Sequence, residues 1–350
     1  MRIGLYGMPT AGKTHILNRI DFIEVVVGSK LLREYDPEFD IRDEFGREQD
    51  RKALATTMMK KDNFIMDGHY AFGDEVAFTD DDGKMYDAFL YLYISPEILK
   101  ERMAASEKNQ KYLWFDIEGW QLREINGLRD YCHRNNKDFY VIDNPPQNCF
   151  ECVDEIICFI RGITEGYSCM SYARRCAEDI LNKSKTDTIV LMDGDKTLSI
   201  EDSSGIVFGY KTHLYDGNFY TGFQAWRQNE EFKQYSFADP TELPVHFNNK
   251  VKAAITKDSF ILTSGHQRVW AFISEKLGLD FYYGPEMSAE TKLYITKLLQ
   301  EAGKRVIAYG DGMNDYFMLK QADEGYLVTK KDGSISRSLK GRDTEDLIIV

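Results

Sequence analysis

Two short stretches of this chain combine residue types that handle phosphate. The first is "GMPTAGKT", a complete G-x-x-x-x-G-K-T from Gly7 through Gly12 and Lys13 to Thr14. Its glycines let the backbone turn so that consecutive N–H groups face an anion, and the helix that follows adds its N-terminal dipole. Lys13 is spaced to reach the β- and γ-phosphates of ATP, and the Thr14 hydroxyl to ligate Mg2+. The second stretch is "LMDGDKTL", with Asp193 and Asp195 two residues apart. One carboxylate of such a pair can attack phosphorus, while the other protonates the leaving oxygen and then activates water. Three further elements follow in order. Ser264 ends an apolar run, where its hydroxyl and the N–H of Gly265 would hold a phosphate oxygen. Lys292 opens a helix and would neutralise the phosphorylated aspartate. Asp311 and Asp315, in "AYGDGMND", would join Asp193 and Asp195 around Mg2+.

These residues need parallel strands to present them. "RIGLY", "NFIMDG", "AFLYLYI" and "DFYVID" read as buried strands, each followed by loop and helix. A second alternating series runs through "TIVLMDGD", "SFILTSGH", "DFYYG", "RVIAYGDG" and "EGYLVT". The expectation is an α/β protein of two domains: 1–165, then a helical linker over 166–186, then 187–350. The long stretch between Asp195 and Ser264 is read as an inserted cap over about 199–258. It is rich in aromatic residues, among them Tyr210, Tyr215, Phe219, Phe223, Trp226, Tyr235 and Phe237, read mainly as the cap's own core. Arg227 is placed there to engage a second anionic group of the substrate.

The N-terminal region resembles the adenylate-kinase-like branch of the P-loop kinases. "VVVGSKLLRE" is similar to the segment that holds the acceptor in that family, with Ser29 and Arg33 in the matching places. "FIMDGHY" resembles a central strand ending in an acid, which implies that Asp67 orients a Mg2+-bound water or accepts the acceptor's proton. "YLYISPEILKERM" is similar to the elements before the lid and makes Arg102 a lid-base arginine. Arg123 and Arg129 are read as further charge for the transferred phosphoryl group, and His69 as structural. The lid "AASEKNQKYLWFD" lacks the paired arginines of classical adenylate kinases, which leaves the acceptor open. Residues 187–330 resemble the haloacid dehalogenase superfamily, its phosphoserine-phosphatase-like members most closely. The fold so implied is a three-layer P-loop NTPase domain followed by a Rossmann-like domain with a cap. The roles so implied are nucleophile for Asp193, general acid/base for Asp195, phosphate binders for Ser264 and Lys292, metal ligand for Asp311 and supporting acid for Asp315. Lys196 stands where many relatives have Gly.

A net charge of −13 argues against a broadly basic nucleic-acid surface, and no apolar run approaches the ~20 residues a membrane span needs. The first strand leads straight into the Gly-rich loop, which leaves no room for a signal peptide and points to the cytoplasm. Cys149 and Cys152 have metal-ligand spacing, with Cys169 and Cys176 as candidates to complete a zinc site. The spacing of the second pair and the lack of a nearby His favour buried thiols instead. Three functions fit a chain that both gives and removes phosphate. One is a kinase and phosphatase acting on nucleotides or other small phosphate esters. The second is repair of nucleic-acid ends, for which phage polynucleotide kinase–phosphatase has the same order of activities. The third is a phosphatase governed by a nucleotide-binding switch.

Overall fold

A computed structural model describes residues 1–143, 153–208, 218–233 and 245–350. The chain divides into two compact units, Met1–Tyr167 and Ser168–Val350. Cys149, Cys152, Tyr210, Tyr215, Tyr235 and Phe237 lie outside the described residues. No helix among the described residues is long and apolar enough to cross a membrane.

The first unit is built from β1 (Arg2–Tyr6), α1 (Lys13–Leu17), β2 (Glu24–Val26), α2 (Gly28–Tyr35), α3 (Glu44–Met58) and β3 (Phe64–Asp67). There follow a small hairpin of β4 (Ala71–Phe72) and β5 (Glu75–Val76), then α4 (Asp80–Lys84), β6 (Ala88–Leu92), α5 (Pro96–Ala104), α6 (Ile117–Asn135), β7 (Asp138–Ile142) and α7 (Val153–Thr164). Five strands form one sheet in the order β2-β3-β1-β6-β7, with every pairing parallel. β6 and β7 are buried at every position. Such unbroken apolar runs are what a parallel sheet with both faces covered requires. Asp116 caps the long α6 by accepting from the Gly119 N–H at 3.1 Å.

In the second unit, α8 (Cys169–Lys183) precedes β8 (Thr188–Asp193), α9 (Ser203–Phe208), α10 (Gly222–Lys233), α11 (Asn249–Ala253), β9 (Ser259–Leu262) and α12 (Gln267–Leu277). The chain continues through β10 (Asp280–Tyr282), α13 (Ala289–Glu301), β11 (Arg305–Gly310), α14 (Met313–Gln321), β12 (Glu324–Leu327) and β13 (Ile348–Ile349). The strands order as β10-β9-β8-β11-β12-β13, again all parallel. Alternation along β8 separates two cores. Ile189 and Leu191 face a cluster shared with α8, α13 and α14. Val190 and Met192 face one shared with α11 and α12.

Two boundaries differ from the sequence expectation. The segment read as a linker over 166–186 carries α8, whose Met170, Ala173, Cys176, Ala177 and Ile180 recur at helical spacing and are buried in the core that Ile189 and Leu191 face. Burial of this face makes α8 part of the second unit. The stretch read as cap up to 258 also ends too late. Val251 of α11 is fully buried beside Met192 and Trp270, and Phe247 pairs with Ser199 in an isolated antiparallel bridge, so this part belongs to the layer under the sheet. Cys169 donates its thiol to the Glu286 carbonyl at 3.3 Å, and burial pushes the Cys176 thiol up to about 12, which makes it inert.

A fragment beginning at Ser168 should therefore unfold cooperatively in urea, whereas one beginning at Asp187 should show no folding transition. In the full chain, Ile180→Ala should lower the stability of the second unit by about 2–5 kcal/mol, read from the shift of its denaturation midpoint.

Candidate active sites

In the first unit the buried strand β1 runs out at Tyr6 into a loop with three left-handed residues, Gly7 (φ 149°), Thr10 (φ 65°) and Gly12 (φ 98°). A Cβ on Gly7 would lie 2.9 Å from the Leu92 carbonyl oxygen, so the loop sits flush against the end of β6. Lys13 is 6 % exposed and donates its ammonium to the carbonyls of Gly7 and Met8, the latter at 3.2 Å. Burial lowers its pKa to about 8, against the pull of Glu124 and Asp67. Thr14 is exposed at the start of α1. Arg102 donates to the Thr10 carbonyl at 3.4 Å, which brings the base of the lid segment to the loop.

Asp67 ends β3 and accepts from the Gly28 N–H at 2.8 Å, fixing the junction of β2 and α2 where Ser29 sits exposed. Arg33 pairs with Asp40 at 2.7 Å and Arg123 with Asp74 at 3.1 Å, both on the surface. Arg129 is buried, donates to Asn126 and lies over the Phe139 ring. The Arg102 bond reaches the loop itself. The residue missed from sequence is Glu124. Fully buried, it accepts from the Ala71 N–H, the Tyr91 hydroxyl and the Trp120 indole at 2.7–3.1 Å, and it lies close enough to Lys13 to hold that lysine's proton on. Its signal was one acid on the otherwise apolar face of Trp120 and Leu128. His69 is held neutral by burial and by Lys13 and Lys108, and its ring lies 4.9 Å from that of Phe72.

The second unit gathers its acids at the C-terminal ends of two neighbouring strands, β8 and β11. Lys292 of α13, with no exposed surface, donates to Asp193 at 2.6 Å and to Asp315 at 2.7 Å. Asp193, Asp311 and Asp315 bring carboxylate oxygens within 4.8 Å of one another. Burial and Asp315 push Asp193 up to about 6 against the pull of Lys292, and burial with Asp315 and Asp193 raises Asp311 well above the carboxylate range. Three carboxyls facing one ammonium form an oxygen-rich cluster short of positive charge. A hard divalent cation fits such a donor set, and Mg2+ could be held by these three residues. The Gly7–Thr14 loop, with its lysine folded inward, fits the phosphates of ATP in the same sense.

Asp195 stands apart from that cluster. It accepts from the Ser203 N–H (3.0 Å), the Ser203 hydroxyl (2.7 Å) and the Trp270 indole (3.1 Å), and burial with Asp202 lifts it to about 7. Lys196 takes the left-handed conformation (φ 61°), the geometry in which glycine is at ease, and its ammonium pairs with Asp202 at 2.6 Å. Ser264 donates to the Met287 carbonyl at 2.5 Å, and the Gly265 N–H to the hydroxyl of buried Thr263 at 2.9 Å. Both groups read as phosphate donors are thus engaged within the protein. Arg227 lies over the Phe223 ring of its own helix, 5.7 Å from the centroid.

Residues 3–123 match the family model described as an AAA domain, a segment that ends within the first unit. Among solved structures the chain is similar to shikimate kinase from Bacteroides thetaiotaomicron, at 16% identity and a TM-score of 0.34, over 47% of this chain and 98% of that one. It is similar also to shikimate kinase from Acinetobacter baumannii in complex with shikimate, at 17% identity and a TM-score of 0.33, over 46% and 93%. The corresponding figures for shikimate kinase from Aquifex aeolicus are 17%, 0.30, 48% and 100%. No curated protein matches. The N-terminal unit has a mixed α/β fold with a parallel sheet.

Replacing Lys292 by Met would leave Asp193 and Asp315 buried without their shared cation. The second unit should lose about 3–5 kcal/mol in urea titrations. Added Mg2+ should raise the melting temperature of the native protein, and Asp311→Asn should abolish most of that rise in a thermal-shift assay.

Proposed function

We propose that this chain is a two-site phosphoryl-transfer enzyme: an ATP-dependent kinase in the first unit and a Mg2+-dependent phosphatase in the second. The substrates are nucleotides or other small phosphate esters. One observation carries this reading. In each unit a central parallel strand ends in a loop with phosphate-handling side chains, Lys13 after β1 and Asp193 with Asp195 after β8. The resemblance of residues 187–330 to the haloacid dehalogenase phosphatases supports the second half of it.

In the kinase site, the loop N–H groups and Lys13 cradle the β- and γ-phosphates, with Arg102 close to the loop. Asp67, at the end of β3, takes the proton of the acceptor hydroxyl as its oxygen bonds to phosphorus and the bond to ADP breaks. In the phosphatase site, a carboxylate oxygen of Asp193 attacks the substrate's phosphorus. The ester P–O bond breaks, and the leaving oxygen takes a proton from Asp195. Water then gives a proton back to Asp195 as its oxygen attacks the aspartyl-phosphate, releasing inorganic phosphate and restoring Asp193. An acid lifted to about 7 is suited to move protons both ways near neutrality. Lys292 offsets negative charge on the attacking and phosphorylated aspartate. Mg2+, when bound, supplies charge neutralisation at the phosphoryl oxygens.

A second reading, with oligonucleotide 5′ ends as acceptor, is favoured by one feature of the lid segment. Trp114 is 92% exposed, near Lys108 and Lys111 in sequence, and an exposed indole among lysines suits base stacking.

The deciding experiment supplies γ-labelled ATP and Mg2+ to the Asp193→Asn protein, whose second site cannot erase the product. The acceptors are nucleosides, nucleoside monophosphates and 5′-hydroxyl oligonucleotides. Label should appear on the mononucleotide panel and be lost when Lys13→Ala is added. Label on oligonucleotide ends would transfer the assignment to end repair, and label on neither would exclude nucleosides, nucleoside monophosphates and 5′ ends as acceptors. Wild type should hydrolyse an aryl phosphate, and Asp193→Asn should reduce that turnover at least ~1,000-fold.

A further inference from the structure

A side chain of the insert between β8 and β9 bonds the loop that follows β9. Gln228 of α10 is 6 % exposed and donates its amide to the Ser264 carbonyl at 2.7 Å. That bond fixes which way the amide faces, because a carbonyl accepts only from the NH2 end. The Oε1 atom is left buried with no partner. Asn314, at the start of α14 beside Asp315, repeats the arrangement. The Ser264 hydroxyl spends its hydrogen on the Met287 carbonyl, so toward Asn314 it can only accept. Asn314 therefore turns its NH2 to Ser264 at 2.9 Å, and its Oδ1 is likewise buried and unpartnered.

Two amide oxygens on two different elements are thus oriented by bonds to the same serine, and each lacks a donor. An amide oxygen shares its carbon with the nitrogen already bonded to Ser264, so both orphaned acceptors lie within a few ångströms of that residue. Buried acceptors without donors are unfavourable and uncommon in native proteins. A pair of them beside a residue read as a phosphate binder is the pattern of a site that gains its missing hydrogen bonds from a ligand. Among the described residues no hydroxyl or amine supplies them.

We propose that Gln228 and Asn314 form the leaving-group subsite of the second unit, and that its substrate is a small phosphomonoester whose alcohol carries hydrogen-bond donors close to the ester oxygen. This rests on the phosphatase reading above and narrows it. A hydroxyl or amine on the carbon next to the ester donates to the two oxygens, while an alkyl ester of the same size leaves both unpaired. Gln228 acts as a specificity residue, and α10 carries the selection that the insert exerts.

The test compares kcat/KM for matched pairs on the full-length protein with Mg2+: glycerol 1-phosphate against propyl phosphate for hydroxyl donors, and phosphoethanolamine against ethyl phosphate for an amine donor. An aryl phosphate serves as the general readout of phosphatase chemistry. Wild type should favour the donor-bearing member of at least one pair by about 10- to 100-fold. In Gln228→Leu that ratio should shrink several-fold, whatever happens to the absolute rates, because the ratio within a pair cancels damage to the Ser264 loop. Whichever pair shows the preference identifies the donor. Hydrolysis of the aryl phosphate with no preference in either pair would overturn the proposal without needing any variant. So would a preference that survives intact in a folded Gln228→Leu protein. If wild type hydrolysed none of the esters, the phosphatase reading itself would fall, and the subsite with it.

Discussion

The buried ammonium of Lys292, held between Asp193 and Asp315, is the interaction on which the second unit is organised. It ties the end of β8, the fourth residue of α13 and the start of α14 to one point. A charge with no exposed surface is tolerable only when its counter-charges are in place, and here two carboxylates answer it. Much else follows from bringing those two acids together. Gly310 has no room for a side chain because the Asp315 carboxylate would lie within 3 Å of a Cβ, and the N–H groups of Asp311 and Gly312 turn toward the same carboxylate. Gly194 is constrained in the same way by Trp270 and Thr263, on the other side of Asp193. The unit assembles its acids by spending backbone freedom around them.

The first unit solves a related problem with the opposite charge. Lys13 is buried among carbonyls, with no carboxylate bonded to it among the described residues, and Glu124 answers it from a neighbouring position. Glu124 is itself secured by three donors from β4, β6 and α6, so a carboxylate that seems out of place in an apolar helix face is fully satisfied. In both units a lysine assigned to phosphate chemistry by the proposed function is kept away from water. The difference is that Lys292 is locked by direct ion pairs, whereas Lys13 rests on neutral oxygens that phosphate can replace.

The strands were legible because parallel strands are buried on both faces and read as unbroken apolar runs; β6 and β7 are the clearest cases. β2 escaped notice because it is a three-residue edge strand with a single buried residue, Val26. Residues 166–186 read as a helical linker because the polar run after Lys183 resembles a domain boundary, whereas the partner of the apolar stripe of α8 is fixed only in the fold. The acids after β8 and β11 could be named from spacing alone, since carboxylates at strand ends follow a pattern in the chain. Their tie to Lys292 is a matter of distance in space, though the lysine itself was marked by its place at a helix start. Glu124, Gln228 and Asn314 show where such reading stops. What matters about each is which hydrogen bonds its neighbours leave over, and that depends on partners tens of residues away.

Complete burial of Lys292 also sets it apart from the surface lysines of the chain in its reactivity toward solvent. An amine-reactive label added to the native protein meets Lys30 or Lys84 at once, yet finds Lys292 both shielded and protonated. Modification at this one position can proceed only through an opening that separates α13 from the ends of β8 and β11. The peptide containing Lys292 is therefore an intrinsic clock for that opening, readable by mass spectrometry without any probe attached to the protein.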